Sequence, residues 1–133
     1  MTVSTTDLDE IRALIDDVAV GISLRDPDRC VARFSPDARS VIANGARAVG
    51  RDAIREAHVQ AFARPGGPPG TARFAVLDVH QPRPDLAIVT TGAYRAGPDD
   101  ELDLDRPPTV VTWTLAREAD GWWVVARQFT PVA

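Results

Sequence analysis

Few side chains of this sequence exchange protons near neutral pH: two histidines, His58 and His80, and a single cysteine, Cys30. An imidazole titrates at about pH 6.5, so it can act as a general acid or a general base at neutral pH. Asp78 stands two residues before His80, and this spacing on a strand places a carboxylate and an imidazole on one face. We expect that face to point outward or to lie near a rim. Cys30 lies among apolar residues and is predicted to be buried, without a chemical role.

The residue types that the sequence lacks exclude several kinds of chemistry. All 15 basic residues are arginines, so Schiff bases, pyridoxal phosphate attachment and a P-loop ammonium, which need lysine, are excluded. One cysteine forms no internal disulfide, and two histidines form no three-histidine metal centre. Glu101, Asp103 and Asp105 alternate as in a calcium loop but lack its glycine and distal glutamate, so we expect a solvated acidic hairpin. The sequence therefore predicts no metal and no cofactor.

Length and charge are those of an ordinary globular protein. The 133 residues are 44% hydrophobic and 26% charged, which is typical of one folded domain, here expected to span residues 1–133. The net charge of −4 disfavours nucleic acid and anionic membranes as partners. The first ten residues lack the pattern of a secretion signal, and no apolar run approaches the roughly 20 residues that cross a bilayer. We therefore expect a cytoplasmic protein.

The elements that must position these side chains begin with helices. From Asp7 to Leu24 apolar residues recur at spacings of three and four, which predicts an amphipathic helix with Asp7 at its cap. An aspartate followed by a proline then starts a second, short helix that is expected to end at Phe34. A third helix is predicted over residues 51–63. It carries His58 on or beside its apolar face, where a partly buried histidine bonded to a backbone carbonyl is the alternative to an acid or base.

The second half of the chain has a period of two, which predicts strands. Proline and glycine dominate residues 65–70, which are expected to form a mobile loop, either a lid or a plain connector. A short strand is predicted before this loop, and four longer ones follow it. These strands are expected over residues 38–43, 73–81, 86–96, 109–118 and 122–130. Helices followed by antiparallel strands predict an α+β fold with the helices on one face of a curved sheet.

Several short segments, in their order and spacing, resemble the SnoaL-like part of the nuclear transport factor 2-like superfamily, and within it the SgcJ/EcaC group. The resemblance covers nearly the whole chain and rests on Arg33–Ala38, Gly50–Ile54 with His58 and Phe62, Gly70 and Thr71, Arg83–Val89, and Gly121 and Trp122 with Ala126, Gln128 and Thr130. It implies a cone-shaped, cystatin-like fold in which a bent antiparallel or mixed sheet wraps around three N-terminal helices. It also implies an apolar cavity open at one end and a homodimer through the outer face of the sheet.

Ketosteroid isomerases of this fold use an aspartate base, a tyrosine and a protonated aspartic acid. The matching positions of this chain hold Ile42, Ala19 and Trp113, none of which acts as an acid or a base. The resemblance therefore disfavours the steroid isomerase mechanism, because the base and the oxyanion donors supply its rate. His58 stands at the place of a tyrosine that supports the isomerase hydrogen-bond network. The resemblance thus makes His58 the first candidate for a polar group in the cavity.

The same comparison assigns the faces of the last strand. It turns Trp122, Gln128 and Thr130 toward the cavity, and it turns Arg127 and Phe129 away from it, with Arg127 interpreted as a surface or interface charge. His58 and Gln128 are accordingly the candidate catalytic residues, with His58 moving a proton and Gln128 placing the substrate. The candidate substrate-binding residues are Trp113, Trp122, Thr91, Thr130, Ser40, Ile42 and Phe34. Both tryptophans also fit a purely structural role in the core.

Two classes of function remain open at this point. In the first, the protein is an enzyme without metal or organic cofactor that isomerises, cyclises, dehydrates or hydrates an apolar, polyketide-like secondary metabolite. Some members of the group are labelled oxidoreductases, but here no GxGxxG follows a strand and no redox cysteine pair exists. In the second class, a non-catalytic binding or chaperone protein shields the metabolite or delivers it to a partner enzyme. A purely structural dimerisation module is a third reading.

Overall fold

The computed structural model describes residues 3–65 and 71–132, and it begins with the predicted long helix. This helix, α1, spans Thr5–Leu24. Ser4 is its N-cap, because the Ser4 hydroxyl accepts a hydrogen bond of 3.1 Å from the backbone N–H of Asp7. The prediction that Asp7 caps the helix is therefore wrong. Asp7 lies in the first turn instead, and it is buried.

The second helix is shorter than the sequence predicts. α2 spans Pro27–Cys30, a single turn capped by the side chain of Asp26. Phe34, which was expected to end this helix, is instead the first residue of a strand. The chain leaves the helix early because the backbone enters the sheet here: the carbonyl of Arg33 accepts a 2.8 Å hydrogen bond from the N–H of Val124.

Within the described residues, six strands form one sheet. In chain order, the strands and the third helix are β1 (Phe34–Val41), β2 (Arg47–Val49), α3 (Arg51–Ala63), β3 (Thr71–Arg83), β4 (Leu86–Ala96), β5 (Thr109–Glu118) and β6 (Gly121–Pro131). Their order in the sheet is β2-β1-β6-β5-β4-β3, and the pair β1 and β6 is parallel whereas the other pairs are antiparallel. The α+β fold with a curved mixed sheet is thus confirmed. The short strand β2 was not predicted.

The core lies between α1 and the inner face of the sheet. Ile11 and Ile15 of α1 are almost fully buried there, together with Trp113 and Leu115 of β5 and Val89 of β4. Burial of an apolar side chain of this size stabilises a fold by roughly 1.5 to 3 kcal/mol. The middle of the inner face is therefore filled by the protein's own side chains.

A bulge in β6 decides which of its residues face inward. Thr114 of β5 pairs with Ala126, but the next residue, Leu115, pairs with Val124, so Val125 is an extra residue on β6. One extra residue exchanges the two faces of everything that follows it. Trp122 and Val124 face inward before the bulge; after it, Arg127 faces inward.

Two further expectations concern the loop and the membrane. Most of the predicted glycine-rich and proline-rich loop, residues 66–70, lies outside the described residues. None of the helices within the described ranges is long and apolar enough to cross a membrane.

Candidate functional site

A cavity of about 380 Å³ opens between α3 and the inner face of β1 and β6. We call it the α3 cavity. Its wall is mainly apolar, with a few polar groups that converge near its floor. The residues that line it are Ser40, Ile42, Ala43, Asn44, Ala48, Ile54, Ala57, His58, Ala61, Arg64, Arg127 and Phe129. This composition suits a small organic molecule that is largely apolar and is held by a few polar contacts.

Arg127 lies at the floor of the α3 cavity, where the sheet register places it between Ser40 of β1 and Trp113 of β5. Its side chain is only 3% exposed. Nη2 donates to His58 Nε2 at 3.2 Å and lies 3.5 Å from the Ser40 hydroxyl, while Nε and Nη1 are buried without an acceptor among the described residues. Burial lowers the pKa of Arg127 to about 10, so the guanidinium is still charged at neutral pH. The cavity floor therefore holds a buried and incompletely paired cation.

Aromatic rings surround this cation in place of a carboxylate. The guanidinium carbon lies 4.9 Å from the ring centre of Phe34, 5.5 Å from that of Trp113 and 4.8 Å from that of Phe129. Each such cation–π contact contributes on the order of 0.5 to 2 kcal/mol. Removing an ion from water costs several kcal/mol, about as much as three such contacts together return. Arg127 is thus held in place by rings that leave most of its hydrogen-bond donors unused.

His58 reaches the cavity from α3. It lies one helical turn after the buried Ile54, so both side chains point to the same face of the helix. A guanidinium only donates hydrogen bonds, so the contact with Arg127 makes Nε2 the acceptor and leaves the proton of the neutral ring on Nδ1. Burial, together with the positive charge of Arg127, lowers the pKa of His58 to about 4. His58 is therefore neutral at physiological pH in this structure.

The structure brings several of the predicted site residues together. Ser40 and Ile42 line the α3 cavity beside His58. Phe34 is fully buried under the guanidinium of Arg127. These four predicted residues thus meet at one end of the sheet, around a cation that the sequence analysis placed on the outside.

Three of the predicted aromatic and hydroxyl residues face inward as expected but do not line the α3 cavity. Trp113 and Thr91 are fully buried in the core, where the indole N–H donates to the Thr91 hydroxyl at 3.0 Å. Trp122 lies near the other end of β6, and its indole N–H donates to Asp7 at 3.2 Å. The indole N–H groups of both tryptophans thus find hydrogen-bond acceptors within the protein, which agrees with a structural role for them in the core.

The orientation predicted for Gln128 and Thr130 is wrong. Both are exposed and lie on the outer face of the sheet, with Gln128 paired to Thr112 in the β5–β6 register. The bulge at Val125 is the physical reason, because the residues after it change faces. Arg127 points inward, and Gln128 and Thr130 point outward. Gln128 is therefore not placed to orient a molecule in the α3 cavity.

The other candidate pair and the acidic loop lie away from the cavity. Asp78 and His80 are exposed on edge strand β3, opposite Thr90 and Ile88, so the expected outward orientation is confirmed. No hydrogen bond joins the two side chains within the part of the chain that the structure describes. Among the same residues, no group of three or more acidic, histidine or cysteine side chains is placed to hold a metal ion, and this includes the loop with Glu101.

Arg127 is the site residue that the sequence analysis missed. The signal that marks its environment is the apolar run Val124, Val125 and Ala126, which interrupts the alternation expected of a strand with one buried face. Such a run is compatible with a bulge, but it does not reveal at which residue the strand changes face.

Comparison with known families agrees with this architecture. The model of the SnoaL-like domain matches residues 3–128 of the chain. The chain belongs to the SnoaL-like domain family. The SgcJ/EcaC group within this family stays a prediction. No curated protein matches this SnoaL-like domain.

Solved structures show the same fold. A domain of unknown function with a cystatin-like fold from Nostoc punctiforme has a TM-score of 0.78 at 20% identity and covers 98% of this chain and 80% of its own. A ketosteroid isomerase-like protein from Erwinia carotovora atroseptica has a TM-score of 0.76 at 17% identity, over 98% and 99% of the two chains. A candidate scytalone dehydratase from Novosphingobium aromaticivorans has a TM-score of 0.73 at 15% identity, over 96% and 85%. This SnoaL-like domain thus has a fold that isomerase-like and dehydratase-like proteins share.

Proposed function

We propose that this SnoaL-like domain is a cofactor-independent enzyme that binds a small, largely apolar organic molecule in the α3 cavity and moves a proton on it. The observation that carries the proposal is the position of His58. Among the described residues that line the cavity, His58 is the one whose side chain is a neutral base at physiological pH. The reaction class is isomerisation, cyclisation, dehydration or hydration, and a polyketide-like metabolite is the proposed substrate.

The chemistry follows from the tautomer of His58. Nε2 carries the lone pair, which accepts the hydrogen bond from Arg127 in this structure, so it is the atom that takes a proton from a carbon or hydroxyl of the bound molecule once that hydrogen bond opens. The electron pair that remains moves into the substrate, and the proton returns to a second carbon in an isomerisation or leaves with a hydroxyl group as water in a dehydration. The apolar wall formed by Ala57, Ala61 and Ile54 keeps water from competing for the proton.

A non-catalytic binding protein is the second candidate, and one observation favours it. The charge of Arg127 and the burial of the ring hold the pKa of His58 at about 4, which makes the imidazole a weak base while the contact persists. A protein that only shelters its ligand needs no proton acceptor. The two candidates therefore differ in whether His58 is required after the ligand has bound.

Substitution of His58 by glutamine separates the two candidates. Native mass spectrometry after incubation with a metabolite extract first identifies the retained compound and any product. His58→Gln keeps an acceptor for Arg127 but transfers no proton, so the enzyme proposal predicts a loss of turnover of about 100-fold or more, with ligand affinity within about threefold. His80→Gln is the matched control, because His80 is exposed on the outer face. A compound that is retained unchanged by the wild type contradicts the enzyme proposal and supports the binding protein.

We also propose a homodimer through the outer face of the sheet. Support comes from the centre of this face, where the register aligns Ile88 with Thr114 and Ala126, and Thr90 with Thr112, without a charge. Light scattering on a size-exclusion column measures the mass. Thr114→Arg is expected to convert a dimer to a monomer. A monomeric wild type contradicts the proposal.

A cytoplasmic location stays a prediction from the sequence.

A further inference from the structure

The proposed proton transfer by His58 gives no role to the buried guanidinium of Arg127. This arginine forms part of the wall of the α3 cavity, its side chain is 3% exposed, and two of its three nitrogens find no acceptor among the described residues. Buried arginines are rare unless they are paired with an anion. The position of this cation therefore indicates what kind of molecule the cavity accepts.

We propose that the α3 cavity binds an apolar organic acid whose carboxylate pairs with Arg127, and that this pairing releases His58 to exchange a proton. The planar fork of a guanidinium matches the two oxygens of a carboxylate, which makes arginine the usual partner of such groups. The inference rests on the proposed function, because it names the class of molecule that the same cavity takes.

The charges around the α3 cavity all favour an anion. Arg64 lies at its rim and Arg127 at its floor, and no aspartate or glutamate is among the described residues that line it. The chain as a whole carries a net charge of −4, so this cationic lining is a local exception. The rest of the wall is apolar, with Ile54, Ala57 and Phe129 placed to contact the body of the ligand. An apolar acid is complementary to both parts.

Pairing with a carboxylate changes the state of His58. In this structure Nη2 of Arg127 donates to His58 Nε2, and this hydrogen bond occupies the lone pair that a base needs. A carboxylate on the guanidinium neutralises the positive charge that opposes protonation of the ring. The other ionisable groups that face this region are Arg64, at the end of α3, and Cys30 of α2, whose burial raises the pKa of its thiol to about 11 and keeps it neutral. The contact between Arg127 and His58 is therefore the one through which a bound carboxylate changes the basicity of His58. Substrate binding itself prepares the base.

Binding of two matched probes tests the anion site. 2-Naphthoate carries the carboxylate, and 2-naphthamide has nearly the same shape without the charge. Calorimetry at about pH 7 is expected to show that the wild type prefers the acid by at least about 30-fold, because the charge pair is buried. Arg127→Gln is expected to abolish this preference, whereas Arg95→Gln, which removes an exposed arginine, is expected to leave it unchanged.

The outcomes of this experiment separate the anion site from the proposed function. Equal affinity of the wild type for both probes, or an equal loss in the two arginine variants, overturns the anion site but leaves a cavity for apolar molecules. Failure of both probes to bind also overturns it, while the proposed function is judged on the metabolite that the protein retains and on His58→Gln. If Arg127→Gln does not fold, Arg127→Met is the second variant, and a preference for the acid that survives in it overturns the anion site.

Nuclear magnetic resonance of the two imidazoles tests the release of His58. Saturation of the wild type with 2-naphthoate is expected to raise the pKa of His58 by about one unit or more, and 2-naphthamide is expected to leave it unchanged. His80 lies on the outer face and serves as the internal control, because neither probe is expected to change its resonances. A bound acid that leaves the pKa of His58 unchanged contradicts the release.

Discussion

Two buried charges lie near opposite ends of β6, and the protein surrounds them in opposite ways. Asp7, near Trp122, accepts hydrogen bonds on both carboxylate oxygens, from the Trp122 indole at 3.2 Å and from the Gln81 amide at 3.3 Å. Arg117 lies 3.9 Å from it. Arg127 has acceptors for one of its three nitrogens only. A buried charge with every partner supplied by the fold has a structural explanation, whereas one without partners is a candidate for ligand binding.

The surface depressions beside these two charges differ in the same sense. The groove near Asp7 is lined by both signs of charge, with Arg33 and Arg117 beside Glu10, Asp17, Glu118 and Asp120. The described lining of the α3 cavity has arginines and a histidine but no carboxylate. Oppositely charged neighbours stabilise each other within the fold, whereas a cluster of like charges favours binding of a ligand of opposite charge. The comparison therefore assigns the Asp7 region to stability and the Arg127 region to recognition.

Acid is expected to produce the largest effect, and it acts first on the Arg127 end. The pKa of His58 is about 4 in the folded protein, below the value of about 6.5 expected for the unfolded chain. The stability that the neutral ring contributes is complete above about pH 6.5 and is lost as the pH falls toward about 4, by about 3 kcal/mol. Urea unfolding between about pH 7 and pH 4 should show this loss in the wild type and in His80→Gln but not in His58→Gln. A wild-type slope in His58→Gln contradicts the assignment.

The carboxylate of Asp7 responds in a different pH range. Burial alone raises its pKa, but the hydrogen bonds from Gln81 and Trp122 outweigh burial and lower the pKa below its usual value. Its contribution to stability is therefore lost only below about pH 4. The two buried groups near the ends of β6 therefore lose their contributions to stability in different pH ranges.

Removal of the Asp7 carboxylate is expected to have the next largest effect. Asp7→Ala leaves the donors of Trp122 and Gln81 buried without an acceptor, which costs about 2 kcal/mol in the free energy of unfolding. Asp9→Ala, at an exposed position two residues further along α1, is the control and is expected to change stability by less than about 0.5 kcal/mol. Affinity for 2-naphthoate should stay within about twofold in both variants. A loss of affinity in Asp7→Ala would break the separation between the two regions.

Replacement of the Arg127 cation by an apolar side chain is expected to have the smallest effect on stability. Arg127→Met removes an incompletely paired ion and keeps a flexible side chain among Phe34, Trp113 and Phe129, so the free energy of unfolding should stay the same or rise by about 1 kcal/mol. The same variant should lose its preference for 2-naphthoate over 2-naphthamide. Destabilisation by about 3 kcal/mol or more would show that Arg127 is needed by the fold, as Asp7 is.

Much of the fold was predictable from the sequence because it depends on patterns that extend over many residues. The stripe of α1 and the alternation of β4 and β5 each repeat several times, so single exceptions do not hide them. The helix over residues 51–63 was predicted correctly for this reason, whereas the inward orientation of Trp113 and Thr91 followed from the family resemblance. Family resemblance added the expectation of an apolar cavity open at one end of the fold, which no local pattern contains.

The candidate site was only partly predictable, because it depends on one extra residue. The position of His58 follows from helical spacing, which the bulge does not affect. Gln128 and Arg127 exchange faces when Val125 is added to the strand, and the alternation of the sequence is too weak there to show where this happens. The missed residue is therefore a consequence of local strand geometry rather than of residue type.

A crystal structure of the wild-type protein with 2-naphthoate would show whether the α3 cavity is a recognition site built on Arg127. We expect a carboxylate oxygen about 3 Å from a guanidinium nitrogen of Arg127, with the naphthyl ring against Phe129 and Ala57. We also expect the contact between Arg127 and His58 to be lengthened. A naphthoate held only by Arg64 at the rim, with the contact between Arg127 and His58 unchanged, would show that Arg127 does not recognise the carboxylate.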